Sequence, residues 1–336
     1  MHSLGSPSTR HRARVASVAA VIPVLLSACG GGSESGGSAS GSSGGVTTIK
    51  TVTMSITGTH WREMVAESQG FFSGQGLKVE ETLVKPNITV DSLLSGSAQI
   101  AFGDGGTAIQ ADEHGADLVV VGQGMDRQNY SFVTAKNITS FPQVKGQTIG
   151  ASAEADVYTQ VIKEILTKNG VKPEDVHFIF GQGSNDRVGA LEGGAIQASL
   201  MPPPADARLK AEGFNILAQT KDIIPVMTQS ATIVSKKWAQ SNPDTVKKYL
   251  AAISQATDWL YDPANKDAAI KLLADKTQSS AADATSAYAT YIDGKAFDKG
   301  ACVQPKAVQV LVDQMNNLGL ITNNDASKYI DDQYCP

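Results

Sequence analysis

Short apolar segments alternate with helix-like segments from about residue 48 onward, and this alternation restricts the fold more than any other feature. Strand-like stretches such as Thr51–Ile56 and Gln99–Phe102 are followed by helix-like stretches that end near a glycine. Asp156–Lys168 continues the pattern with apolar residues on one helical face. Short strands joined by helices of about ten residues are typical of βα units and a largely parallel sheet. The sequence therefore predicts an α/β protein.

One strand–helix–strand element occurs twice along the chain. Leu94–Ala98 leads into a strand at Ile100–Phe102, and Leu191–Ala195 leads into one at Ala198–Met201. In both places a helix, a glycine and a further strand follow. Either each of two lobes carries the element, or the likeness is chance in a Gly- and Ala-rich chain. In the remaining C-terminal third, Asn242-Pro243-Asp244 has the features of a helix start, and apolar residues recur at helical spacing from Val246 to Leu260. Further helices are predicted at residues 266–274, 281–292, 305–318 and 324–330.

The first 28 residues have the features of an export signal. Three arginines precede the apolar run Val15–Leu26, which ends in Leu26-Ser27-Ala28-Cys29. A run of about a dozen apolar residues is too short to span a bilayer of about 30 Å as a helix. We expect cleavage before Cys29 and lipidation of its thiol, with an ordinary signal peptide as the alternative.

Glycine and serine dominate residues 30–45. Such a segment cannot bury apolar surface, so residues 29–47 are expected to form a flexible tether. The net charge is −5 and becomes more negative when the arginines of the signal are removed. An acidic chain argues against nucleic acid as a partner.

Two cysteines remain after Cys29, namely Cys302 and Cys335. In an exported protein these two cysteines are expected to form a disulfide, and the alternative is two buried free thiols.

Three stretches resemble the substrate-binding proteins of the nitrate, sulfonate, taurine and thiamine-pyrimidine-precursor import systems, the NMT1-like family. The first is Glu67–Phe72 with Gly76–Glu80, and the second is Leu94–Gly103. The third is Val234–Trp238 with Asn242-Pro243-Asp244 and the helix after it.

The resemblance implies a type II periplasmic-binding-protein fold: two α/β lobes, two crossover strands and a ligand cleft between the lobes. Carried onto this chain, residues 48–137 and 231–336 form one lobe and residues 138–230 the other. The crossovers are expected at Tyr130–Lys136 and Met227–Ser235.

The same resemblance implies an extracytoplasmic solute-binding protein of an ABC importer. Its partners would be a small molecule, an ABC permease with its ATPase, and the membrane through the lipid anchor. We expect a monomer in the cell envelope, on the outer face of the cytoplasmic membrane or in the periplasm. The alternatives are a sensory or accessory binding lipoprotein and an exported enzyme on the same scaffold.

Ligands of open α/β sheets bind at the carboxyl ends of the strands. That rule selects loops after the predicted strands and at the first helix of the second lobe. The candidate ligand-binding residues in these loops are Thr59, His60, Trp61, Asp104, Gln123, Ser152, Glu154 and Met201. Trp61 would stack on the ligand, or else pack within its lobe, and Asp104 would bind it or cap a helix.

Three acids in these loops, Asp104, Asp126 and Glu154, speak against a bare small anion. A neutral, cationic or amphipathic organic ligand fits better. The prolines Pro202–Pro204 would give the cleft a stiff, apolar wall. Because the sequence has no HExxH, paired CxxC, Walker or GxSxG motif, we expect neither catalysis nor a cofactor or metal site.

Overall fold

The computed structural model of the protein describes residues 45–127, 129–154, 156–181, 183–223 and 228–336. The predicted signal peptide, its lipidation site at Cys29 and most of the tether lie outside these residues, as does Met227 at the start of the second predicted crossover.

Strands and helices alternate as the sequence predicts. The strands are β1 (Thr47–Thr53), β2 (Leu77–Leu83), β3 (Ile100–Gly103), β4 (Leu118–Met125), β5 (Ser131–Thr134), β6 (Thr148–Gly150), β7 (His177–Ile179), β8 (Ala198–Met201), β9 (Asn215–Gln219) and β10 (Ser230–Ser235). The helices are α1 (Trp61–Ser68), α2 (Phe71–Gly74), α3 (Pro86–Leu94), α4 (Gly105–Glu113), α5 (Val157–Lys168), α6 (Ser184–Glu192), α7 (Ala205–Ala211), α8 (Lys236–Ser241), α9 (Pro243–Tyr261), α10 (Lys266–Thr277), α11 (Ala281–Tyr288) and α12 (Pro305–Asn317).

Two five-stranded sheets organise these elements. The first has the order β2-β1-β3-β10-β4 and the second the order β7-β6-β8-β5-β9. In each sheet four strands run in one direction, and the strand that is fourth in the order runs antiparallel to both of its neighbours. We call the elements around the first sheet the first lobe and those around the second sheet the second lobe. The repeated element of the sequence therefore corresponds to equivalent strands, β3 and β8.

The chain passes from the first sheet to the second between Met125 and Ser131 and returns between Gln219 and Ser230. The predicted crossover Tyr130–Lys136 overlaps β5, which is hydrogen-bonded to β8 and β9 of the second sheet. Sheet membership thus changes before β5, earlier than the predicted lobe boundary after residue 137. The other predicted crossover overlaps β10, which belongs to the first sheet.

The long helix α9 shows why the C-terminal third is helical. Pro243 occupies its first turn with Asp244 next to it, where a fixed φ and a negative charge are both favourable. Val246, Leu250 and Ile253 are buried in the core against the first sheet. The prediction of a further helix at residues 324–330 is wrong, since only a 3-10 turn forms there, at Ala326–Lys328.

The chain beyond α11 covers an edge of the first sheet. Every residue of β4 is buried although it is the last strand in the order. Backbone bridges join it to residues near the C-terminus, Val120 to Ile330 and Gly122 to Cys302. Cys302 and Cys335 form a disulfide with their Cα atoms 5.1 Å apart. The bond fastens the covering segment, which closes an edge that would otherwise be open to pairing.

Candidate functional site

A cleft of about 230 Å³ lies where the carboxyl ends of β1, β3, β6 and β7 meet. Met54 and Asp104 line it from the first lobe, and Ser152 and Arg187 line it from the second. The position obeys the rule that ligands of open α/β sheets bind beyond the strand ends. The cleft is therefore the candidate binding site.

Asp104 follows β3 and caps the N-terminus of α4. Its carboxylate accepts a hydrogen bond from the backbone N of Gly106 at 3.0 Å and one from the Thr107 hydroxyl at 3.3 Å. Burial raises the pKa of Asp104 to about 7, and the nearby Asp156 carboxylate adds to this, against the lowering effect of the two hydrogen bonds. Close to neutral pH this carboxyl is therefore present in both its protonated and its ionised form.

Asp156 caps a helix of the second lobe, α5, which follows β6. It accepts hydrogen bonds from the backbone N of Thr159 at 2.7 Å and from the Ser152 hydroxyl. Burial raises its pKa, although the hydrogen bonds from Thr159 and the charge of Arg187 act in the opposite direction. Sequence reasoning treated Asp156 only as the start of a helix, yet its N-cap position was the signal that could have placed it in the site.

Arg187 projects from α6 into the wall of the cleft and is almost completely buried. Its guanidinium donates to the Ser184 hydroxyl at 3.1 Å and to the Leu200 carbonyl at 3.4 Å. Burial lowers its pKa, but the neighbouring tyrosines and Asp156 favour the charged form. Sequence reasoning missed Arg187, because nothing in the spacing of α6 distinguishes it from a surface arginine.

Aromatic rings and a buried amide complete the cleft. Tyr130 and Tyr158 meet with their ring centroids 5.1 Å apart, and Tyr158 donates its hydroxyl to the Gln229 carbonyl at 2.6 Å. The Gln229 side chain is fully buried beside Tyr130. Among the described residues it has no hydrogen-bond partner of good geometry for either amide atom, and the same holds for the Ser230 hydroxyl. Sequence reasoning missed Tyr130, Gln229 and Ser230 as site residues because they lie in the predicted crossovers, and it treated Tyr158 only as part of a helix.

Three of the predicted site residues line the cleft, namely Thr59, Asp104 and Ser152. The other five do not lie among the described residues that line it: His60, Trp61, Gln123, Glu154 and Met201.

Trp61 lies behind the cleft rather than on its surface. It is the first residue of α1, it has no exposed surface, and its ring packs edge-on against Tyr288 at 6.1 Å. A 3-10 turn at Gly58–His60 precedes it and directs it into the core under α9 and α11. The expected stacking of Trp61 on a ligand is therefore replaced by packing within the lobe.

His60 is also buried, between the Phe102 ring and two acids. Its Nε2 lies 2.8 Å from Glu81 Oε1, and its Nδ1 lies 3.7 Å from Glu63 Oε2. Burial lowers the pKa of His60, but Glu81 and Glu63 outweigh it and the pKa is raised overall. The ring stacks at a tilt on Phe102, which lines the cleft, so His60 supports the wall from behind.

The remaining three predicted site residues, Gln123, Glu154 and Met201, lie away from the lining of the cleft. The Gln123 amide donates to Asp298 at 2.8 Å and accepts from the backbone N of Gln304 at 3.1 Å. Glu154 is exposed, and Met201 is buried in the small core of the second lobe. Asp126, the remaining acid of the predicted loops, pairs with Arg127 at 3.6 Å near the surface.

The proline loop lines a separate, smaller cavity of about 90 Å³ together with Thr57 and Arg208. The Pro203 carbonyl accepts a hydrogen bond at 3.2 Å from the backbone N of Gly58, in the first lobe. A Cβ on Gly58 would lie 2.8 Å from that carbonyl oxygen, so only glycine allows this approach of the two lobes.

Within the described residues, no group of three or more His, Cys, Asp and Glu side chains is arranged to hold a metal ion. In the same part of the chain, no helix combines the length and apolar character that crossing a membrane requires.

Known proteins agree with this architecture. The family described as NMT1/THI5 like matches residues 58–266. A relative in Bacillus subtilis (strain 168), whose name is "Putative binding protein YtlA", is 25% identical over 210 residues. That match covers 60% of this chain and 63% of the relative, so the chain spans less than two thirds of its length.

Two solved structures share the fold. The alkanesulfonate-binding protein SsuA from Xanthomonas axonopodis pv. citri, bound to MOPS, has a TM-score of 0.69 at 16% identity, covering 85% of this chain and 99% of that one. The periplasmic nitrate-binding protein NrtA from Synechocystis PCC 6803 has a TM-score of 0.71 at 15% identity, covering 84% of each chain. The predicted two-lobed periplasmic-binding fold is confirmed. Because the family match spans more than half of the 336 residues, this chain belongs to the NMT1/THI5-like family.

Proposed function

We propose that this protein is the extracytoplasmic solute-binding protein of an ABC importer. In this role it captures a small organic molecule between its lobes and delivers it to a membrane permease. The observation that carries the proposal is the cleft itself, to which each lobe contributes a helix-capping aspartate, the buried Asp104 and the half-buried Asp156. The named binding functions of SsuA and NrtA support it.

Closure of the lobes is the proposed working step. The first lobe moves against the second in this proposal, and the two chain passages between the sheets, after Met125 and after Gln219, serve as the hinge. A ligand that touches both lobes binds the closed form better than the open form, and that differential affinity shifts the population. No covalent chemistry is assigned to any residue of the cleft.

The leader sequence supports a place in the cell envelope. Cleavage before Cys29 and lipidation of its thiol would tie the mature protein to the outer face of the cytoplasmic membrane, with residues 29–47 as tether. The protein would act as a monomer beside its permease and ATPase.

Native mass spectrometry of protein purified without refolding tests the binding role. We expect a small molecule that leaves on denaturation, and a smaller radius of gyration in X-ray scattering when it is returned. Tyr158→Ala, which removes part of the aromatic surface of the cleft, should lose the ligand, whereas Tyr261→Ala, away from the cleft, should retain it. A ligand that is retained equally by both variants would place binding elsewhere, and a ligand that is chemically converted would indicate an enzyme.

A further inference from the structure

Three helices begin at the cleft, α4, α5 and α6, and at the start of each a carboxylate of the protein accepts a hydrogen bond from a backbone N–H; in α6 the N–H of Gly183 is bonded to Asp186. In α4 the N–H of Gly106 is bonded to Asp104, and in α5 the N–H of Thr159 is bonded to Asp156. Free N–H groups at a helix N-terminus are the usual donors to a bound anion. Here those N–H groups already have an anionic partner, so an anionic ligand would meet carboxylates in their place.

The charged side chains that line the cleft also disfavour an anionic ligand. Asp104 and Asp156 come from opposite lobes and are close enough for their charges to interact. Arg187 is the cation of this wall, and its guanidinium is already held by Ser184 and the Leu200 carbonyl. A positive group placed between the two aspartates would replace their repulsion by attraction on both sides, and it would draw the lobes together.

Gln229 provides an independent indication of a ligand. Its amide is fully buried, it lines the same cleft, and among the described residues neither its nitrogen nor its oxygen has a hydrogen-bond partner of good geometry. A buried amide without partners costs free energy unless a bound group supplies them. The adjoining rings of Tyr130 and Tyr158 offer an aromatic surface, which favours flat groups and cations.

We infer that the cleft takes an organic cation, an ammonium or amidinium group on a flat apolar body, held between Asp104 and Asp156 with the Gln229 amide at its edge. The inference rests on the proposed solute-binding function and specifies the ligand class of that site.

Three probes of one shape test the inference on the purified protein: benzamidinium, benzamide and benzoate. They share a ring and a planar substituent and differ in charge. By titration calorimetry at pH 8, we expect benzamidinium to bind at least about tenfold more tightly than the other two. Equal or tighter binding of benzoate, or no binding of benzamidinium, would overturn the inference.

The pH dependence gives a second readout with opposite signs for the two kinds of ligand. The charged and titratable groups facing Asp104 are Asp156, Arg187 and the hydroxyls of Tyr130 and Tyr158. Of these, Asp104 has its pKa at about 7. A cation should therefore bind up to about tenfold more tightly at pH 8 than at pH 6, where most Asp104 is protonated. An anion should show the reverse.

Asp104→Asn keeps a capping side chain and removes the charge. We expect it to lose both the preference for benzamidinium and its pH dependence while still binding benzamide. The matched control is Asp325→Asn, which changes an exposed helix cap far from the cleft and should behave as wild type.

The copurified ligand separates failure of this inference from failure of the receptor role. If benzoate is preferred, or benzamidinium does not bind, while a ligand sensitive to Tyr158→Ala is retained on purification, the receptor role stands and the cation inference is wrong. If no probe binds and no ligand is retained, both are wrong.

Discussion

The two sheets of this molecule share one strand order but differ in how deeply they are buried. Every described residue of β4 in the first sheet is buried, whereas its counterpart in the second sheet, β9, is only half-buried throughout. The core that packs under α9 contains thirty-one buried hydrophobic residues, and the one between β8 and α7 contains six. One face of the shared topology is thus covered by a thick layer in the first lobe and by a thin layer in the second, while a further core cluster contains residues of both lobes.

The difference lies in the C-terminal third of the chain. Helices α9 to α11 and the disulfide-fastened segment all pack on the first lobe. A third core cluster includes residues of both lobes, such as Val52 and Ile149, and makes the packing continuous past the crossovers. We therefore expect the first lobe to act as the rigid body, and the second to respond more to changes at the crossover and in the cleft.

Trp61→Ala should produce the largest loss of stability, because it empties the most buried volume of the first lobe. The ring has no exposed surface and packs against Tyr288. We expect the free energy of unfolding to fall by about 3–5 kcal/mol, measured by urea denaturation. Trp238→Ala, at a half-buried position on α8, is the matched control and should cost less than half as much. Equal losses would mean that the first lobe is not packed as tightly as its burial indicates.

The contrast between Trp61 and Asp104 shows what the sequence could and could not supply. Both follow a strand of the first sheet, and the strand-end rule selected both. Asp104 directly follows β3, so its position beside the cleft depends on one local boundary. Trp61 is separated from β1 by a 3-10 turn, and the direction of its ring depends on how α1 packs under α9. The local sequence pattern determines a position such as that of Asp104, whereas tertiary packing determines one such as that of Trp61.

The same reasoning explains the residues that were missed. Alternating strands and helices could be predicted because each element has its own hydrophobic period. Arg187, Gln229 and Tyr158 have ordinary local surroundings in the sequence, and only the pairing of two lobes brings them to one cleft. Sequence patterns report which face of an element is apolar but not which distant element will lie opposite it.

Loss of the disulfide should destabilise the first lobe almost as much. Cys302 and Cys335 are 33 residues apart, and in the chain-entropy model a loop of that length contributes about 3–4 kcal/mol. Replacing both with serine should lower the free energy of unfolding by that amount and increase hydrogen exchange along β4, which the fastened segment covers. Wild-type protein under reducing conditions is the matched comparison. Increased exchange in β9 instead of β4 would contradict the assignment of rigidity to the first lobe.

Asp104→Asn should stabilise the free protein above neutral pH. The pKa of Asp104 in the folded state is about 7, well above its ordinary value of 3.8, chiefly because of burial. Its contribution to stability is complete at pH values below 3.8 and is lost as the pH rises through 7. The variant should gain roughly 2–4 kcal/mol at pH 8 relative to wild type and little at pH 4. Thermal unfolding across this range checks the sign, and a variant that is less stable at pH 8 would contradict it.

Tyr158→Phe should have the smallest effect on stability, but it should specifically weaken the coupling between the unfolding of the two lobes. Tyr158 lies on α5 of the second lobe. Its hydroxyl donates to the backbone carbonyl of Gln229, in the segment that leads into β10, so this hydrogen bond joins the two lobes. Tyr261→Phe is the matched control, because its hydroxyl donates to the Phe297 carbonyl at 2.7 Å entirely within the first lobe. Each change should cost about 1 kcal/mol. By calorimetry, however, only Tyr158→Phe should separate the unfolding transitions of the two lobes, since of the two bonds compared only that of Tyr158 joins the lobes. Separation in the Tyr261 variant, or in neither, would show that the lobes are joined by the shared core and not at the crossover.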